Sequence, residues 1–312
     1  MKRIKFDECN SKEFRNLLDT KEEVVFIAEK EFDTNLLIII NEQCQENFKL
    51  FLKPNKKGIS VELLQLIPNI QRLNISPDYE NRLETLNGLS GLTNLIELAF
   101  GMYVKGNVSF EPIGHINTLL EFDFGDQGLE SKPQYEFINK QRLLKKLHAN
   151  KLDLSILLAK SSLRELRIHS TLKNENLLAE KFPNLKKFHL HGDKHRQNHS
   201  FIQNLLELEN IEINYNSYLT SFPKMKAPEK VKRICMLNCY NFSDIDSLLV
   251  YENLETLCLT SSDKPLKITE EDFAKLKKLT KLTTVYTVWG RGKTSENVEK
   301  LYKETRWKNS ML

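Results

Sequence analysis

One apolar pattern returns ten times along this chain and leaves few folds open to it. An aliphatic or aromatic residue is followed by two variable positions, a second such residue, one variable position and a third. The triples are Ile70/Leu73/Ile75, Leu95/Leu98/Phe100, Leu119/Phe122/Phe124, Leu144/Leu147/Ala149, Leu163/Leu166/Ile168, Leu185/Phe188/Leu190, Leu208/Ile211/Ile213, Val231/Ile234/Met236, Leu254/Leu257/Leu259 and Leu282/Val285/Thr287. Their first members step by 25, 24, 25, 19, 22, 23, 23, 23 and 28 residues. A unit of that size cannot bury its apolar face alone. Successive units must therefore stack, each covering the next, and the product is a solenoid.

Between the triples runs a second apolar set spaced by three: Cys239, Phe242, Ile245 and Leu248 in one unit, Leu83, Leu86, Leu89, Leu92 and Leu95 in another. Side chains at i and i+3 eclipse in a tight 3₁₀-like return, so this set lines the opposite side of the same core. With these features the chain resembles the leucine-rich repeat proteins over roughly residues 65 to 290. The consensus LxxLxLxxN/CxL is best matched by VKRICMLNCYNF, with Cys239 at the Asn/Cys position. It is partly matched by LKKLHANKL, where Asn150 comes before the Asn/Cys position. The return LETLNGLSGLTNL is similar to that of the internalin-like bacterial class. The resemblance implies an α/β leucine-rich repeat solenoid. Its curved parallel sheet would form the concave face and its short helical or 3₁₀ returns the convex face, with an N-terminal α/β cap and a C-terminal helix.

Residues 1–60 are read as not carrying the repeat and are expected to form an N-terminal capping segment, or else a small independent domain. Three strands are expected there, at Val24–Ile27, Leu36–Ile40 and Phe48–Leu52, with a short helix over Ser11–Leu18. The repeats then occupy 61–290, and 291–312 form a C-terminal capping helix. Gly290-Arg291-Gly292 reads as a turn and Ser295 as the N-cap, with Val298, Leu301, Tyr302 and Thr305 on one face.

Charge excludes more than it suggests. A net charge of +4 from 46 basic and 42 acidic residues lacks the concentrated basic character of a nucleic-acid binder. The basic residues near the end, from Lys275 to Lys308, alternate with acids and read as a solvated helical surface. Residues after Met1 lack the apolar stretch of a secretory signal, and Leu36–Ile40 is far too short to span a bilayer. Five cysteines without framework spacing suit a reducing compartment. A soluble, cytoplasmic, bacterial protein is expected, monomeric when free, that binds neither nucleic acid nor membrane.

Strand alternation identifies the side chains that point away from the core. On that face the early repeats place Glu97, Glu121 and Asp123, with Asp126 close by; the middle ones place Lys146, His148, Arg167, His169, Lys187, His189 and His191. The later ones add Glu212, Tyr215, Arg233, Tyr286 and Trp289. An order of acidic, then basic and histidine-rich, then aromatic suits a specific protein partner. Cys235 and Cys258 share one outward column and are expected as free thiols, whereas Cys239 is expected to be buried.

Histidines on neighbouring strands invite a metal site, but side chains on a flat ladder stand parallel and do not converge, so no metal is expected. No nucleophile elbow, P-loop, HExxH, dinucleotide fingerprint or CxxC is present, and no cofactor is expected. The expected function is non-enzymatic binding of a protein partner on the concave face, as an inhibitor or immunity-type protein of a toxin or enzyme. The alternatives are a general adaptor and, more remotely, a hydrolase-type enzyme built on His148, Arg167, His169 and His191.

Overall fold

Each strand is short and buries alternate residues, and so needs neighbours on both sides. A computed structural model describes residues 1–10, 14–15, 18, 21–56, 58–101, 104, 108–124, 136–193, 196–262, 264–289, 296–305 and 307–309. Thirteen strands form its parallel sheet in sequence order. They are β1 (Lys2–Lys5), β2 (Val24–Ala28), β3 (Phe48–Leu52), β4 (Arg72–Ile75), β5 (Glu97–Phe100), β6 (Glu121–Phe124) and β7 (Lys146–Asp153). After these come β8 (Glu165–Lys173), β9 (Lys187–His191), β10 (Asn210–Asn214), β11 (Arg233–Leu237), β12 (Thr256–Ser261) and β13 (Thr284–Trp289). Short 3₁₀ and α-helical turns connect them, as the three-residue spacing predicts. The chain divides into two compact units: 1–150 with 156–158, and 151–155 with 159–312.

In the first unit the repeat begins earlier than the triples suggest. β1 to β3 join β4 in parallel register, with Ile4 beside Phe26, Phe26 beside Leu50 and Leu50 beside Leu73. These steps of 22, 24 and 23 residues keep the period of the later repeats. In β2 and β3 the triple is missing because its first position holds Glu23 or Asn47; only the alternating pair survives, as Phe26/Ala28 and Leu50/Leu52, all buried. The expectation that residues 1–60 lack the repeat is corrected accordingly.

The expected strand at Leu36–Ile40 is a helix, Asn35–Glu42. It buries Leu36, Leu37, Ile39 and Ile40 and leaves Ile38 exposed, which is helical spacing; a strand would bury 36, 38 and 40 together. Most of the helix expected over Ser11–Leu18 lies outside the described residues.

Phenylalanines fill this unit's core, with ring centroids 5.2 Å apart for Phe26–Phe48, 5.2 Å for Phe110–Phe124 and 5.4 Å for Phe110–Phe137. In the return Leu83, Leu86, Leu89, Leu92 and Leu95 are all buried, and a Cβ on Gly88 would sit 2.0 Å from the Val61 carbonyl oxygen. Only glycine permits that approach.

The second unit fills its repeats mainly with leucine and isoleucine; Leu166, Phe188 and Ile211 form one buried row across β8 to β10. Its C-terminal helix, Glu296–Thr305, buries Val298 and Leu301, and the Tyr302 hydroxyl donates to the Val285 carbonyl at 2.8 Å. After the helix Lys308 pairs in parallel with Thr284 on β13. The expected turn at Gly290-Arg291-Gly292 and the cap at Ser295 lie outside the described residues.

Candidate functional site

In the first unit the register sets Arg72, Glu97, Glu121 and Lys146 in one outward row and Asn74, Ala99, Asp123 and His148 in the next. Each described acid expected on this surface is already partnered. Glu97 accepts from Arg72 Nε at 2.7 Å and from the Lys49 ammonium, while Arg72 Nη1 reaches Glu23 at 2.8 Å. Burial opposes the charge on Glu97, but Lys49 and Arg72 outweigh it and hold the carboxyl below its usual range. Lys146 Nζ lies 2.6 Å from Glu121, and His148 Nδ1 lies 3.0 Å from Asp123. The expected acidic surface is thus a set of ion pairs. Asp126 lies outside the described residues.

In the second unit one row carries Glu165, Lys187, Asn210, Arg233, Thr256 and Thr284, and the other Arg167, His189, Glu212, Cys235, Cys258 and Tyr286. Glu165 takes Arg167 Nε at 2.7 Å and lies 3.6 Å from Lys187 Nζ. Its side chain is only 10% exposed, while those of Arg167 and Lys187 are 46% and 49% exposed. Burial resists its ionisation, yet the two cations and His189 hold its carboxyl below the usual range. Glu212 is pulled down to about 2, first by its hydrogen bond with His189, against the opposing effect of burial, with help from Asn214 and the Arg233 charge. His189 Nδ1 stands 2.9 Å away and Asn214 Nδ2 donates at 2.6 Å. On the middle strands, expected as basic and histidine-rich, a carboxylate, Glu165, lies beneath two cations.

Cys235 and Cys258 pair in register as expected, and the five cysteines are free thiols. Both are buried rather than exposed, as short side chains in a row flanked by the longer Glu212 and Tyr286. A thiol–thiol hydrogen bond is the main influence on both, pushing Cys235 up and Cys258 down. Cys239 is buried, with its thiol donating to the Ile213 carbonyl at 3.2 Å. Tyr286 is half-buried; the backbone of Trp289 ends β13, and its side chain lies outside the description.

From the middle of β8 to the C-terminal ends of β9 and β10 three rings line up. The centroids of His169 and His191 are 5.6 Å apart and those of His191 and Tyr215 4.7 Å. Tyr215 therefore belongs with the histidine strands. The turn that follows is fixed by Asn216, which went unremarked in the sequence although it stands eight residues after Leu208, at the Asn/Cys position of the consensus. Its Nδ2 donates to the carbonyls of Asp193 and Arg196 at 2.8 and 3.0 Å, and its Oδ1 accepts from the amides of Tyr218 and Leu219 at 2.8 and 2.9 Å. Nearby His199 is buried 3.4 Å from Asn216 Nδ2; burial, then the Arg196 charge, pushes its imidazole down to about 4. Tyr218 and Glu165 complete the surface and were not among the expected contact residues. Among the described residues no group of three or more His, Cys, Asp or Glu side chains could hold a metal ion. Among them also, no helix is long and apolar enough to cross a membrane.

No protein-family model matches the sequence, and no curated protein does. Solved structures do. An internalin of Listeria monocytogenes str. 4b F2365 aligns with a TM-score of 0.53 at 17% identity, covering 94% of this chain and 75% of that one. Internalin C2 of the same strain gives 0.42 at 17% identity over 82% and 92% of the two chains. A leucine-rich repeat protein of Leptospira interrogans gives 0.43 at 13% identity over 99% and 95%. Both the strand ladder and the first of these alignments give one answer about architecture: this chain has the fold of a leucine-rich repeat solenoid, similar to an internalin.

Proposed function

We propose that the chain is a non-enzymatic recognition module that binds a protein partner through the outward face of its strands. The observation that supports this most is the state of that face. Its charged side chains are tied to one another by cross-strand pairs, so the surface is largely ordered before a partner arrives, and association loses little side-chain entropy. The buried Glu165 and the raised Arg167 and Lys187 of β8 and β9 give the second unit a positive contact surface, which favours on-rate and register with a complementary partner. Within that class the reading is an inhibitor or immunity-type protein that masks one bacterial toxin or enzyme in the cytoplasm, where its thiols stay reduced.

The test is affinity purification of the tagged full chain from its native cell, followed by mass spectrometry and titration of the recovered protein. One stoichiometric partner, bound about tenfold more weakly by the Arg167→Gln/Lys187→Gln double variant, is the expected result. Several substoichiometric proteins would instead indicate a scaffold. An affinity untouched by the double variant would move the contact surface elsewhere. Glutamine is chosen because charge reversal at Arg167 or Lys187 would face the buried Glu165 and disturb the fold itself.

A further inference from the structure

Three residues just after consecutive strands are structurally equivalent: Gly192 after β9, Tyr215 after β10 and Asn238 after β11. Each sends its amide to the same ladder position on the next strand: Gly192 to Asn214 at 3.0 Å, Tyr215 to Leu237 at 2.7 Å and Asn238 to Thr260 at 2.7 Å. All three have positive φ, at 76°, 57° and 57°. Glycine and asparagine adopt this left-handed backbone readily, and a bulky tyrosine does so only against steric cost. The fold asks for Gly or Asn at this position and carries Tyr. Core packing does not explain the choice, because the Tyr215 side chain is among the exposed large apolar groups at 42%.

Tyr218, three residues on, is 45% exposed. The turn between them is held by the four hydrogen bonds of Asn216, two received and two given. Two large, stiff, amphipathic side chains thus project from a locked turn, the arrangement that gives contact area at low entropic cost. Strain kept at an exposed, over-determined position points to function.

We propose that Tyr215 and Tyr218 are paired anchors for an acidic protein segment that crosses the outward face of β8 and β9, past Arg167 and Lys187, and ends on the turn after β10. The inference rests on the reading that the outward face of the second unit binds a protein. His191 packs against Tyr215 and His169 against His191, continuing the ring row across the three strands. Charge selects the acidic character of the segment. Arg167 and Lys187 are about half exposed above a Glu165 that is nearly covered. The carboxylates at the strand ends are occupied too: Asp193 and Glu175 both bind Arg196, at 2.7 and 2.6 Å. An incoming carboxylate meets Arg167 and Lys187 near the starts of β8 and β9, while the tyrosines supply desolvated contact beyond the end of β10.

The test is a random peptide library displayed on phage, selected on the immobilised full chain and counter-selected on its Tyr215→Gly variant. Selected peptides are then titrated against wild type, Tyr215→Gly, Tyr218→Ala and Arg167→Gln/Lys187→Gln. Net-negative peptides are expected, with affinity lowered about tenfold or more in each variant. Tyr215→Gly, relieved of its backbone strain, should melt at or above the wild-type temperature. A lower melting temperature would make Tyr215 structural and overturn the proposal. So would neutral or basic peptides, or no enriched peptide at all, including the case in which a glycan array is bound through the tyrosines. Binding sensitive to the Arg167/Lys187 variant alone would remove the anchors and leave the surface standing. Binding indifferent to every variant would remove both.

Discussion

The outward faces of β5 to β7 in the first unit and of β8 to β10 in the second are built from the same residue types, yet they present different charge. In the first, Asp123 is 48% exposed over a His148 that is 20% exposed, and Glu121 and Lys146 stand at 40% and 50%. In the second, Glu165 is sunk to 10% beneath Arg167 and Lys187 at 46% and 49%. Paired charges cancel in a count of residues. What a partner meets is set by which member of each pair stands higher, because the buried member is shielded and the raised one is hydrated and available.

The comparison assumes that both faces rest on cores of similar rigidity, and the largest effect tests that. Phe188→Ala and Phe122→Ala should each cost about 3–5 kcal/mol in urea unfolding, since each deletes a buried ring. A much smaller loss at Phe122 would mean that its neighbouring phenylalanines, Phe124 and Phe137, repack and that the first face is the softer one.

Acid should separate the units next. His199 is held at about 4 in the folded chain against 6.5 in the unfolded one, so the unfolded chain binds the proton first as pH falls. The stability this group contributes is complete above pH 6.5 and is lost as pH falls through the window from 6.5 to 4. The loss should be about 2–3 kcal/mol, read by urea titrations at several pH values, and His199→Leu should flatten that slope. A slope that survives in the variant would place the proton uptake elsewhere.

Depth of burial itself is probed by adding an acid to each face. Arg167→Glu confronts the sunken Glu165 and should cost about 2 kcal/mol, whereas Lys146→Glu, beside the more exposed Glu121, should cost about 0.5 kcal/mol or less. Equal penalties would erase the distinction between the faces. The smallest effect lies at the end of the second unit. Thr287 takes the third place of the last triple, is buried, and its hydroxyl has no hydrogen-bond partner. Thr287→Val should therefore raise stability by about 0.5–1 kcal/mol.

Much of this was legible in the sequence, for reasons that particular residues make plain. The triples from Ile70 to Thr287 located ten strands, β4 to β13, because an apolar residue at each inward position is required by stacking. The outward residues could be assigned to rows because side chains alternate along a strand, and the register bears those rows out. β2 and β3 were expected as strands but not as repeats, because Glu23 and Asn47 stand where the motif has its first apolar residue, and β1 was not foreseen. Leu36–Ile40 looked like a strand because a short all-apolar run carries no period; only burial separates the helical stripe from exposed Ile38. Pairing was not legible at all, since Lys49, Arg72 and Glu97 lie 23 and 25 residues apart in the chain and meet only across strands.

The sequence by itself determined that this protein is a stacked ladder, because its repeating apolar residues can be buried in no smaller unit. It also determined which side chains leave the core, because a strand alternates. Only the tertiary structure decided how deep each charged side chain sits and which neighbour neutralises it, since both depend on residues one repeat away. It alone revealed that Tyr215 occupies a left-handed backbone position suited to glycine or asparagine, because that conformation is imposed by the hydrogen bond to the next strand and not by the tyrosine.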